Sequence, residues 1–182
     1  MFFVFTLIIF AKNIEAAKII NTSTSPNGKW IATLFCDNSY KCYIAVKNLK
    51  AKGSKYKTAI KFSKNSKYSL RDDRKAQWLN DNKHFVIVNY VSDEDCPTVF
   101  MALYNLDTNK FEIIDDAYLL DEDIKPEKNG FSYIIIDDQI YDDKSRNKCE
   151  SGITYKLRKV VRDFSGKLIK QSTYYECGGG FC

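Results

Sequence analysis

Five short stretches of this chain, residues 30–35, 43–46, 85–88, 99–104 and 131–136, are apolar runs rich in β-branched and aromatic residues. Such residues suit the pleated surface of a strand, and each run is bounded by turn-forming chemistry. Helical periodicity is hard to find beyond the N-terminal stretch. Residues 105–110 (Asn-Leu-Asp-Thr-Asn-Lys) and 162–167 (Arg-Asp-Phe-Ser-Gly-Lys) both read as hairpin loops. Asn109 and Gly166 stand where such loops need a left-handed backbone. The chain is therefore expected to be all-β.

Three places look alike. Ser25-Pro26-Asn27-Gly28-Lys29 is a turn feeding the apolar run that begins at Trp30. Leu79-Asn80-Asp81-Asn82-Lys83 repeats that shape before His84 and Phe85, with Trp78 just ahead of it. Residues 125–132 repeat it more loosely around Asn129-Gly130. Gly28 to Asn82 spans 54 residues and Asn82 to Gly130 spans 48. A period near 50 with several strands per unit is the pattern of propeller blades. The Ser25–Lys29 turn with its following strand resembles the S-P-D-G-K turn of TolB-like β-propeller repeats, and residues 78–83 resemble a decayed W-S-P-D-G-K. The resemblance implies a propeller style of fold and, as in that family, protein-binding roles; it implies no catalytic residue. Three units fall short of the four blades a closed propeller needs. The expected architecture is about three antiparallel meanders stacked as an open or incomplete propeller-like array, or a two-sheet sandwich, with disulfide staples.

Residues 2–11 form an apolar run interrupted only by Thr6, and Ala16-Ala17 follow shortly after it. That is the pattern of a secretory signal and its cleavage zone, and the run is too short to span a membrane. Residues 1–17 are read as a signal peptide and 18–182 as a single β domain, periplasmic or extracellular, with no membrane insertion after cleavage. Export turns an even number of cysteines into a disulfide framework: Cys36, Cys42, Cys96, Cys149, Cys177 and Cys182. Proximity pairs Cys36 with Cys42 across a turn and Cys177 with Cys182 around a glycine run, which leaves Cys96 for Cys149. The spacings C-x5-C and C-x4-C, with one histidine in the chain, do not suit zinc. No metal or other cofactor is expected.

The net charge of +5 conceals a division. Residues 18–83 hold fifteen Lys and Arg against four Asp and Glu, whereas residues 84–148 hold six against fifteen. Solvated loops and edge strands account for much of this, since lysine on an edge strand discourages sheet-to-sheet pairing. A charged surface of either sign can also steer a protein partner. The residues assigned to such docking are Lys50, Lys52, Lys55 and Lys57 in the basic part, and Asp121, Glu122, Asp123, Asp142 and Asp143 in the acidic part. The acidic runs lack the alternating ligands and glycine bend of a calcium loop. Aromatic residues among the lysines fit buried strands as well as a single-strand platform, and no nucleic-acid partner is expected.

No nucleophile elbow, phosphate-binding loop, H-E-x-x-H or dinucleotide glycine pattern is present. His84 sits at a turn-to-strand step and reads as structural. The expectation is a non-enzymatic exported module that binds another protein, in concrete form an immunity-type inhibitor of an envelope-acting toxin or an accessory part of an envelope complex. The rival reading is a small carboxylate-dependent hydrolase of cell-wall or glycan material.

Overall fold

The computed structural model describes residues 17–64, 66–72, 74, 76–91, 99–141, 149 and 152–178, with backbone alone for Tyr90 and for 118–123. Among the described residues there is no helix. The strands are β1 (Lys18–Thr24), β2 (Trp30–Cys36), β3 (Cys42–Asn48), β4 (Lys57–Ile60), β5 (Gln77–Trp78), β6 (His84–Tyr90), β7 (Val99–Asn105), β8 (Lys110–Glu127), β9 (Gly130–Tyr141), β10 (Ile153–Asp163) and β11 (Leu168–Gly178). Every strand pairs antiparallel with its neighbours in chain order: β1 to β4 in one sheet, β5 to β11 in succession. The long strand β8 is shared. Its first part, Lys110 to Ala117, pairs with β7, and from Tyr118 onward it pairs with β9. The result is three open four-stranded meanders: unit 1 (β1–β4), unit 2 (β5–β7 with the start of β8) and unit 3 (the end of β8 with β9–β11). The expected signal segment lies outside the described residues except for Ala17.

Alternation along β6 and β7 explains how the units stack. Successive side chains of a strand point to opposite faces. Phe85 and Ile87 of β6, with Phe100, Ala102 and Tyr104 of β7, pack against Leu34, Ile44, Val46 and Ile60 of unit 1. The alternate residues Val86, Val88, Val99, Met101 and Leu103 pack against Phe131, Tyr133, Ile135 and Val160 of unit 3. Unit 2 is thus covered on both faces, which is why its strands read as continuous apolar runs. Strand β1 lies against β5 and β4 against β8, so equivalent strands of units 1 and 2 face each other. The Trp78 indole N–H donates to the Ser23 carbonyl at 2.9 Å across that contact.

The first two repeated turns share one geometry. In each, the first residue's amide donates to the carbonyl at the start of the next strand: Ser25 to Trp30 and Leu79 to His84, both at 2.9 Å. Gly28 and Asn82 take the left-handed position, at φ 67° and 61°. The two turns also touch, because the Asn27 amide donates to the Asn82 side-chain carbonyl at 2.7 Å. The third copy departs from the pattern. A two-residue connection joins β8 to β9, and Gly130 is the first residue of β9, opposite Asp163. A Cβ there would lie 1.9 Å from the Arg162 carbonyl oxygen, so close backbone approach requires this glycine.

The hairpin expectations at Asn109 and Gly166 hold, with φ of 55° and 88°. Cys36 and Cys42 are direct cross-strand partners, 4.1 Å apart at Cα, and are bonded as expected. The other two expected bridges are overturned, because Cys149 is bonded to Cys177 with Cα atoms 5.2 Å apart. The reason is strand pairing. Antiparallel β11 brings Cys177 opposite Thr154, and the Cys149 sulfur lies 3.5 Å from the Thr154 hydroxyl. Sequence proximity to Cys182 carries no information about that register. Closing this loop of 28 residues stabilises by about 3–4 kcal/mol on the loop-entropy model. Cys96 and Cys182 lie outside the described residues.

A polar clamp joins units 2 and 3. The Arg162 guanidinium, on β10, donates to the Tyr133 hydroxyl (2.6 Å), the Gly166 carbonyl (2.8 Å), the Ile114 carbonyl (2.9 Å) and Asp115 (3.3 Å). Tyr133 in turn donates to Asp115 at 2.8 Å. Burial pushes the Tyr133 phenol well up, with the Arg162 hydrogen bond opposing it.

Three outcomes follow from this packing. Non-reducing peptide mapping should recover Cys36–Cys42 and Cys149–Cys177, and a Cys177–Cys182 peptide would refute the second bridge. Arg162→Met leaves a carboxylate, a hydroxyl and two carbonyls without their donor at a buried seam. It should cost about 3 kcal/mol in denaturant unfolding; a change under about 1 kcal/mol would show that the clamp contributes little. Burial pushes the Tyr104 phenol from 10.0 to about 12, so the folded chain holds this proton where the unfolded chain releases it. Its contribution is complete below about pH 10 and is lost as pH rises toward 12. Alkaline unfolding of Tyr104→Phe should accordingly depend less steeply on pH over that window.

Candidate functional site

The basic residues of unit 1 are presented by a loop with its own internal bonding. At the end of β3 the Asn48 side-chain carbonyl accepts the amides of Lys50 (2.9 Å) and Ala51 (3.2 Å), the Asx-turn that competes with strand pairing. The Asn48 amide donates to the Ser54 hydroxyl at 3.3 Å, and the Ser54 amide to the Ala51 carbonyl at 3.1 Å. Leu49 ties the loop to the first turn by donating to the Lys29 carbonyl at 2.8 Å. Gly53 takes the left-handed position, at φ 72°. Lys50, Lys52 and Lys55 stand exposed on this frame, and exposed Lys57 opens the edge strand β4. Lys47 joins them, with its ammonium 5.5 Å over the Tyr56 ring.

Among the described residues none of these five lysines meets a carboxylate. Residues 18–60 carry eight lysines and a single acid, Asp37. That carboxylate accepts the amides of Ser39 and Lys41 at 2.8 and 2.9 Å within its own loop. Unit 1 therefore presents uncompensated positive charge on a fixed frame.

The acidic half behaves differently. Asp107 pairs with Lys83 (2.7 Å), Asp137 with Arg158 (2.9 Å), Asp115 with Arg162 (3.3 Å) and Glu127 with Lys159 (3.6 Å). Asp116 accepts from Lys67 and, at 3.0 Å, from the Tyr68 hydroxyl. Two of these cations, Lys67 and Lys83, come from the basic half of the sequence, so division along the chain is not division in space. Of the acidic residues assigned to docking, Asp121, Glu122 and Asp123 lie in the backbone-only part of β8, and Asp142 and Asp143 lie outside the described residues. Lys47 was not among the lysines assigned to docking from the sequence, because its tie to Tyr56 depends on cross-strand register. The fixed loop was foreshadowed by Asn48 and Gly53, one at each side of the Lys50–Lys52 turn.

His84 opens β6, and its Nδ1 pairs with the carboxylate of Asp81, which also accepts the amides of Lys83 and His84 at 3.1 Å each. The imidazole thus belongs to the turn. Among the described residues no three His, Cys, Asp or Glu side chains come together as a metal site.

No family model and no curated protein matches the chain. Among solved structures, it is similar to the β-propeller domain of the Trilobed protease from Pyrococcus furiosus, described as having an open velcro topology. There the identity is 14% and the TM-score 0.48, covering 87% of this chain and 43% of that one. It is also similar to Pyrococcus horikoshii acylaminoacyl peptidase (13% identity, TM-score 0.49, 87% of this chain and 25% of that one). A third similar structure is an acylaminoacyl peptidase in complex with Z-Gly-Gly-Phe-chloromethyl ketone (13%, 0.49, 86% and 25%). The chain spans less than half of the first of these and a quarter of the other two.

Proposed function

We propose that this chain is a non-enzymatic, exported β module that binds an acidic protein partner through the lysines of the β3–β4 loop and edge strand. One observation carries the reading: Lys47, Lys50, Lys52, Lys55 and Lys57 stand on a hydrogen-bonded frame with no carboxylate partner among the described residues. Five other cations, Lys67, Lys83, Arg158, Lys159 and Arg162, do lie against acids. Exposed ion pairs within one chain contribute little to stability, about 0–1 kcal/mol. Leaving charges unpaired therefore costs the fold little and leaves a field that steers an oppositely charged surface. The disulfides agree with an oxidising compartment, the periplasm or the cell exterior. An immunity-type inhibitor seated on an envelope-acting toxin is one concrete form; an accessory subunit of an envelope complex is another.

The test is capture from the exported fraction of the source cell, comparing the native chain with the variant Lys50→Gln, Lys52→Gln, Lys55→Gln, Lys57→Gln. A stoichiometric partner should be retained at low salt and released at high salt, and its association rate should fall about tenfold with the variant. A partner that binds the variant equally well would refute this surface. Degradation of peptidoglycan by the purified chain, abolished by a single Asp or Glu substitution, would refute the non-enzymatic reading.

A further inference from the structure

The chain contains one loop twice, and the two copies differ at their second and fourth residues, of which the fourth bears on the backbone. Asp37-Asn38-Ser39-Tyr40-Lys41 joins β2 to β3, and Asp163-Phe164-Ser165-Gly166-Lys167 joins β10 to β11. In each the Asp amide donates to the Lys carbonyl, at 3.1 and 3.0 Å, and the fourth residue's amide donates to the Asp carbonyl at 3.0 Å. In each the Asp carboxylate accepts the amides of the Ser and the Lys. The fourth residue is left-handed in both, Gly166 at φ 88° and Tyr40 at φ 56°. A bulky L-residue is strained there, whereas glycine and asparagine are not. The chain uses glycine in one copy and asparagine at the bend of the β7–β8 loop (Asn109, φ 55°); among the described residues tyrosine takes such a position only at 40. The Tyr40 ring does not compensate by burial, since the residue is 76% exposed.

Tyr40 stands at a cleft of about 790 Å³ between its loop and residues 61–64 and 66–70, which follow β4. Tyr43, Phe62 and Tyr68 supply further aromatic walls. The far wall is anchored: Phe62 packs edge-on against the core rings of Phe100 and Phe111 at 5.3 and 5.4 Å, and Tyr68 is held by Asp116. The Cys36–Cys42 bridge fixes the base of the near wall. Lys41, Lys61 and Lys64 line the same cleft, and none of the three has a carboxylate partner among the described residues. Lys61 lies 5.8 Å over the Tyr43 ring. The cleft's acid, Asp37, is occupied by its own loop amides. Aromatic walls suit a flat apolar body, and unpaired ammonium groups suit an anion.

We infer that this cleft binds a flat organic anion, an aromatic ring system bearing a carboxylate, sulfonate or phosphate, with Tyr40 stacking on the ring and Lys41, Lys61 and Lys64 facing the charge. Strained backbone of this kind persists where the surrounding structure holds it in place, and it gathers at ligand clamps. The site is separate from the lysine loop, at the other end of the strands of unit 1.

The inference is tested by fluorescence titration of the oxidised, full-length chain with anilinonaphthalene sulfonate and with its uncharged analogue phenylnaphthylamine. The sulfonate should bind at one saturable site and weaken with added salt. Tyr40→Asn should weaken it about fivefold or more, while the melting temperature stays level or rises by about 2–4 °C as the strain is relieved. A Lys61→Gln, Lys64→Gln double variant should weaken the sulfonate about tenfold and leave the uncharged probe unaffected. Lys170→Gln on β11 should change neither. Equal binding of both probes, insensitive to the lysines, would overturn the anion site. A Tyr40→Asn variant that melts earlier and binds the sulfonate unchanged would overturn the role of Tyr40 and show it to be structural.

Discussion

The fold depends on a sheet that is apolar on both faces. In β6 and β7 Phe85, Val86, Ile87 and Val88, then Val99, Phe100, Met101, Ala102, Leu103 and Tyr104, leave no polar face to turn toward water. A lone meander built from them would expose one apolar side whatever its register, so unit 2 requires a neighbour on each face. Unit 1 covers the odd-numbered side chains of β6, and unit 3 the even-numbered ones. A one-residue slip of β6 would exchange the two sets and mismatch both seams at once, so this double burial also fixes register. The two seams are finished differently. The seam with unit 1 is closed by apolar packing, by the rings of Phe62 and Tyr68 beyond β4 against Phe100, and by the bond from Trp78 to Ser23. The seam with unit 3 is closed by the Arg162 guanidinium and its four hydrogen bonds.

That constraint accounts for what could be read from the chain beforehand. The strands of unit 2 and the three-meander order were legible because period-two chemistry and turn residues act locally. The first two repeated turns were legible because Gly28 and Asn82 stand at the same left-handed bend. Gly130 was misleading: its neighbour Asn129 suggests a third such bend, but the glycine answers to the Arg162 backbone across the sheet, a contact between distant segments. The Cys149–Cys177 bridge was illegible for the same reason, since the register of β11 on β10 decides it.

Charge shows the same boundary between local and non-local information. The exposure of Lys50, Lys52 and Lys55 could be read from their glycine- and serine-containing loop. That their charge stays uncompensated could not, because it depends on where Lys67 and Lys83 find Asp116 and Asp107. Tyr40 lies beyond local reading altogether. Turn rules assign glycine or asparagine to its position, and only the fold reveals that a tyrosine occupies the bend and that a cleft lies beneath it.

Unit 1 shows how one face of an open stack can be covered by its own side chains. On its side away from unit 2, Phe35 stacks on its cross-strand partner Tyr43 at 5.3 Å, and the Tyr56 ring meets Phe35 edge-on at 5.1 Å. Thr33 donates to the Tyr56 hydroxyl at 3.2 Å, and Lys47 lies over the same ring. Rings laid along the sheet shield Thr33 and Ala45, which are almost fully buried although among the described residues neither belongs to a core cluster shared with another unit. The lysine stem adds apolar cover while its ammonium stays at the surface. The residues that seal this face are thus the neighbours of those that charge it. Tyr56 adjoins Lys55 and Lys57, and Tyr43 lies under Lys61. Substituting these aromatics would therefore move the lysines as well as expose the sheet, so any functional effect of Tyr43 or Tyr56 variants has to be measured against the lysine variants, which leave the rings in place.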